Sequence, residues 1–162
     1  YAAVEGYVPL NWHVSAAART PVDQWDTVAV EESFIVSAGA FDDVSLPADR
    51  TLTWQLELLA RPFQSFEPVN DAVSSDYGLF IYPSVGLVPR GSVTFNLSSI
   101  VSPVDLSATT TLSASWNIYE SLTLLGYLSA AAGEERDLFS TNGSALAGEG
   151  GVSAVVGARY VY

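Results

Sequence analysis

SATTTLSASWNIYESLTLLGYLSAAA, residues 107–132, alternates in character along both of its halves. Together with Leu106, the residues Ala108, Thr110, Leu112, Ala114 and Trp116 form an apolar or mostly small series. Ser107, Thr109, Thr111, Ser113, Ser115 and Asn117 between them form a short polar one. A repeat of two places such series on opposite faces of a β-strand. After turn residues at 117–121 the alternation resumes, with Leu122, Leu124, Gly126, Leu128 and Ala130 against Thr123, Leu125, Tyr127, Ser129 and Ala131. The stretch reads as a hairpin. Each arm is about ten residues, the length at which a tilted strand crosses a bilayer.

Working outward, the same unit recurs. Strands are expected over 1–8, 12–19, roughly 28–41, 50–61, 77–88 and 92–100, with a last one at the C-terminal end. The alternation is sharpest from Arg50, where Leu52, Trp54, Leu56, Leu58 and Ala60 oppose Thr51, Thr53, Gln55, Glu57, Leu59 and Arg61. Glu57 in mid-strand belongs in a wet interior, because charge near a bilayer midplane is costly. Asp42–Asp49 (DDVSLPAD) reads as a turn. Pro83 demotes its strand to an irregular or edge position, since proline cannot donate to a ladder. The connections at 61–76 and 133–150 are long, and long connections are commonly functional or mobile.

Composition agrees with a sheet that has one apolar face. Mean hydropathy is +0.26 and only 15% of residues are charged. No apolar run is long enough for a membrane-spanning helix. Apolar residues that alternate instead of clustering are the pattern of a transmembrane barrel, with a soluble β-sandwich as the alternative. Six Arg, no Lys and eighteen acids give a formal charge of −12, which argues against nucleic acid as a partner. Many acids fall in connections, among them Asp23, Asp26, Asp71, Glu134 and Glu149. None has the spacing of a dedicated calcium loop. Cysteine and methionine are both missing, so thiol chemistry is excluded. One His without a recognisable motif around it gives no basis for catalysis or a metal site, and neither an enzymatic activity nor a cofactor is expected.

The C-terminal GVSAVVGARYVY places Val156, Ala158, Tyr160 and Tyr162 on one face and ends in an aromatic residue. It resembles the last strand of bacterial outer-membrane β-barrels, whose terminal aromatic is read by the barrel-assembly machinery. From Asp76 onward, a strand pair, a short link, a Ser/Thr-lined strand, a turn of N-x-Y-x-S type and a leucine-rich strand resemble the C-terminal part of alginate-export-like and related large porin families. That resemblance covers roughly the last 85 residues and implies a large barrel that passes solutes.

The expectation is therefore an all-β, antiparallel transmembrane β-barrel in a bacterial outer membrane. About eight to nine strands form a single segment over 1–162, with outside loops near 20–27, 61–76 and 133–150. Counting back from Tyr162 gives nine strands, an odd number, and the start carries neither Met nor a signal. The segment is then read as the C-terminal part of a larger barrel, completed by a second chain or an upstream fragment. By the alternation, Glu5, His13, Arg19, Gln55, Glu57, Thr94, Asn96, Thr109, Thr111, Ser113, Ser115, Asn117 and Arg159 line the lumen. Tyr160 and Tyr162 form the C-terminal signature. Trp12, Trp54, Trp116 and Tyr119 are candidates, with those two tyrosines, for interfacial girdles. The expected function is a porin-like channel for small solutes or ions. A structural barrel that sheathes a partner protein and a soluble secreted sandwich are the alternatives.

Overall fold

The structure is a computed structural model and describes residues 2–7, 10–19, 33–70, 73–89, 91–119, 121–133, 137–141 and 152–160. Nine strands form one sheet in sequence order: β1 (Ala2–Tyr7), β2 (Asn11–Arg19), β3 (Ser33–Leu46), β4 (Arg50–Ala60), β5 (Leu79–Val88), β6 (Val93–Ser102), β7 (Ser107–Tyr119), β8 (Leu122–Ala132) and β9 (Val152–Tyr160). Every neighbouring pair is antiparallel. The only helix among the described residues is α1 (Leu138–Thr141), between β8 and β9. The sheet is open, with no ladder joining β1 to β9 among the described residues.

Directly opposed residues of an antiparallel pair share a face, so the register divides the sheet into two surfaces. The first carries Trp12, Val14, Val36, Trp54, Leu56, Leu58, Val85, Leu97, Leu112, Trp116, Leu124, Leu128 and Val156. Large side chains there stay exposed: Leu56 47%, Leu97 46%, Trp116 48% and Val156 84%. A water-soluble monomer rarely leaves an apolar surface of this extent uncovered. The second face carries most of the Ser, Thr, Asn, Gln and charged residues, together with Ile35, Phe41, Leu59, Tyr82, Leu125, Tyr127 and Val155.

Two differences from the expected elements have physical causes. β3 (the expected start near residue 28 lies outside the described residues) runs on to Leu46, so Asp42 and Asp43 lie within the strand and not in a turn. They pair with Trp54 and Thr53 near the strand end, where carboxylates reach solvent. Reversal is confined to 47–49, where Ala48 and Asp49 take φ of 65° and 52°, the left-handed pair that matches the twist of a tight hairpin. β5, with Pro83, is an interior strand and not an edge, paired to both β4 and β6. The irregularity is nonetheless real: the β5–β6 register passes from Ile81↔Val101 directly to Ser84↔Ser98. Proline has no N–H to donate across that gap. Ser99 opposite it instead turns its hydroxyl to Thr110, 2.7 Å away.

The small core sits at one end of the polar face, the end bearing the connection 61–78 and the β6–β7 turn. Tyr77, Phe80 and Leu138 are almost inaccessible, with Leu59, Tyr82, Ile100, Val104 and Phe139 packed around them. The 61–78 connection is folded on itself. Arg61 N–H donates to Gly78 O at 2.7 Å, Gly78 N–H to Ser65 O at 2.8 Å, and the Tyr77 hydroxyl to Val69 O at 3.2 Å. Burial raises the Tyr77 phenol above its ordinary pKa. The Val69 N–H bond opposes this, and the charges of Asp105 and Asp137 add to it.

Asp105 fastens this end. Its carboxylate accepts from Ser107 Oγ at 2.8 Å and Ser107 N–H at 3.2 Å. It also accepts from Leu138 N–H at 2.8 Å, which ties α1 to the β6–β7 turn. Burial alone would raise its pKa, but donors from Leu138, Ser102 and Ser107 outweigh burial and hold the group below the ordinary carboxylate value. A depressed folded pKa contributes stability that is present above the unfolded value and lost as pH falls through the folded one. Asp105→Ala leaves buried donors unpaired and should cost roughly 1 to 3 kcal/mol in urea unfolding at pH 7. The difference from wild type should shrink progressively below about pH 4.

Candidate functional site

The register brings every lumen candidate onto the polar face. Glu5 opposes His13, and Arg19 lies on the same side of β2. Gln55 and Glu57 oppose Phe41 and Gly39. Thr94 opposes Ser115, Asn96 opposes Ser113 and Ile100 opposes Thr109, while Thr111 lies across from Ser98. Asn117 pairs with Thr123, which in turn pairs with Arg159. Thirty or more residues of sequence separate some of these neighbours, yet a single parity relates them all.

Hydroxyls on this face satisfy one another across strands. Ser15 and Ser37 Oγ are 2.7 Å apart, Thr94 Oγ1 and Ser115 Oγ 2.6 Å. Thr111 donates to Ser129 at 3.3 Å, and Thr123 to Asn117 Oδ1 at 2.7 Å. Each such pair adds about 0.2 to 1 kcal/mol to the sheet. They leave a smooth wall of short side chains.

Two features interrupt that wall. A row crosses the first strands as Glu5, His13, Gly39, Glu57 and Tyr82. His13 Nε2 lies 3.9 Å from Glu57 Oε1, the two side chains 24% and 31% exposed. The imidazole reaches Glu57 by passing over β3 at Gly39, where a Cβ would collide with His13 Cε1. The Phe41 ring flanks the imidazole at 6.5 Å between centroids. The imidazole thus lies beside the Glu57 carboxylate, with Glu5 opposite it in register on β1. The second feature is a hollow of ≈ 310 Å³ at the Pro83 gap. Gln55, Tyr82, Ser84, Ser98, Thr109 and Thr111 line it, with Pro83, Ser99 and Ile100.

The alternation pointed to Gln55, Glu57, Thr109 and Thr111. It passed over Tyr82, Ser84 and Ser98, whose strand carries a proline or whose partners were not yet known. Ser84 opposes Gln55 on one side and Ser98 on the other. Trp12, Trp54 and Trp116 lie on the apolar face. The ladder from Trp54 runs through Val85 and Leu97 to Leu112, not to Trp116. The two are therefore not on one row. Tyr119 is 75% exposed beyond a bulge in β7, and Tyr160 is 66% exposed at the end of β9. Tyr162, the connection at 20–27 and most of 133–150 lie outside the described residues. Among the described residues no group of His, Asp and Glu has the arrangement to hold a metal ion.

Compared with known proteins, the chain matches no protein-family model, no curated protein and no solved structure.

Gly39 tests the packing of the row. Gly39→Val forces His13 from its place and should destabilise the chain by about 1 to 3 kcal/mol, an overpacking cost. In Gly39→Val/His13→Ala most of that loss should return, read as urea midpoints of the two variants side by side.

Proposed function

We propose that the chain is the wall of a transmembrane β-barrel in a bacterial outer membrane, and that it forms part of a porin-like channel for small solutes or ions. The observation that carries the reading is the division of one nine-stranded meander into two continuous faces. On one, large apolar side chains stand exposed. On the other lie the hydroxyls, amides and charges, and the packed end cluster of Tyr77, Phe80 and Leu138 folds over that side. A barrel with lipid outside and water inside needs this arrangement. Ser99 and Thr110, polar residues in the middle of the apolar face, bond each other at 2.7 Å, as hydroxyls facing lipid must, while Asp42 and Arg50 on the same face lie toward strand ends.

Within the channel, Glu5, His13 and Glu57 set the local charge, and the Ser/Thr wall supplies hydrogen bonds to passing water and solute. Two carboxylates on one row favour cations over anions. The acid excess of the whole chain, at −12, acts in the same sense at the mouths.

Membrane insertion is tested by a pair of neighbouring substitutions. Leu56→Arg places a charge against lipid and should cost roughly 2 to 4 kcal/mol in a refolding titration with phospholipid vesicles. Gln55→Arg, one residue away and on the wet face, should change stability little. Equal effects, or a chain that stays in solution without detergent, would remove the membrane reading and favour a soluble sandwich. Transport is tested in planar bilayers. Glu57→Gln should move the reversal potential in a salt gradient toward that of an unselective pore, and the absence of any conductance would leave a sheath around a partner protein.

A further inference from the structure

The strand directions constrain what can close this sheet. Because each neighbour is antiparallel, the odd-numbered strands all run the same way, so β1 and β9 point in the same direction. Bringing β9 round to β1 would create a parallel seam in an otherwise antiparallel ladder. Bacterial single-chain barrels do not have this seam, being antiparallel with an even number of strands. Both edges are otherwise ready to pair. β9 is exposed along nearly its whole length, with Val155 at 56% and Val156 at 84%. An unpaired row of backbone N–H and C=O groups cannot face hydrocarbon.

A second copy does not solve the problem. Two copies related by an axis along the membrane normal place β9 beside the partner's β1, again parallel. Copies related by an axis in the membrane plane pair β9 with β9 and β1 with β1 in antiparallel fashion. One copy is then inserted upside down, with its 61–78 connection on the opposite side of the membrane. Assembly from one side does not produce that.

We propose, on the premise of the barrel reading, that the β1 and β9 edges take up a β-segment different in sequence from this chain and containing an odd number of strands. One strand, or three, or any odd number, gives antiparallel pairing at both edges and an even total. An even number leaves one parallel seam wherever it is placed. The segment should repeat this chain's alternation, with short polar residues continuing the wall of Ser37, Thr94 and Ser113 and apolar residues continuing that of Leu58 and Leu128.

The experiment is edge photo-crosslinking in the outer membranes of cells that make the full protein. Photo-reactive benzoylphenylalanine replaces Ala3 on β1 or Val156 on β9, and the crosslinked peptides are sequenced. The expected result is that both sites join the same non-identical segment, that each crosslinked strand runs opposite to β1 or β9, and that the strands from one crosslink to the other are odd in number. A bond from Ala3 to β9 of the same chain, a bond to a second copy, an even count or no crosslink from either edge would each overturn the proposal. Failure of the premise is read separately: a chain recovered in the aqueous phase without detergent refutes the barrel before any crosslink is made.

Discussion

The period of two residues, tied to the register of each ladder, is the constraint on which the rest of this structure depends. A slip by one residue in any pair would carry the apolar set of that strand to the wet face and its hydroxyls to the other. The penalty falls on every residue of the strand at once, so register is set collectively. Local devices reinforce it. The Ser15–Ser37 and Thr94–Ser115 bonds exist only in the observed register. His13 fits across β3 only where a glycine opposes it.

At the end bearing the 61–78 connection, a different interaction takes over. The sheet there has no second layer, yet Tyr77, Phe80 and Leu138 are buried. They are covered by chain that leaves the sheet and returns, and chain of that kind brings backbone polar groups needing partners. The folded connection satisfies many of its own, through Arg61, Ser65, Asp76 and Gly78. Asp105 satisfies two of the remainder from separate segments. Arg61 adds a guanidinium 5.7 Å above the Phe80 ring and donates to Ser74 O at 2.7 Å. Polar groups thus hold the apolar cluster in place, and the cluster in turn excludes water from Asp105.

The strands and their faces were legible because alternation is a local property written into each segment. Strand ends were less so. Asp42 and Asp43 look like turn formers, but their place in β3 is decided by pairing with β4 and by where Pro47 allows the chain to reverse. Pro83 was read as a mark of an edge; it sits inside the sheet because only the β6 side of the ladder yields. The helix at 138–141 and its tie to Asp105 were not legible. Thirty-three residues separate Asp105 from Leu138, and no periodicity links a turn aspartate to a distant backbone N–H. The hollow at Pro83 was legible only in part, since it needs the partners of a broken ladder to be known.

In the proposed barrel, the size of the side chains on the polar face bears on its width. In a barrel of about eight strands the interior is narrow, and inward side chains fill it by contact. Ser and Thr are the commonest residues of the polar face, and Gly39 and Gly86 open it further, beside the larger Phe41, Tyr82 and Tyr127. The hydroxyls already find partners on adjacent strands, so they do not reach across the interior for others. Closed tightly, such a wall would leave voids lined by polar groups, which water would have to occupy. Set in a wider ring, the same short side chains line a continuous aqueous space without cost. Among the described residues, the end bearing the aromatic cluster is the covered one, where the 61–78 connection and α1 pack onto Leu59, Phe80, Tyr82 and Ile100 of the strands. In the proposed channel, width and closure would then fall to different parts of the chain: the small residues of the strands leave space open, and the connections set how much of it remains so.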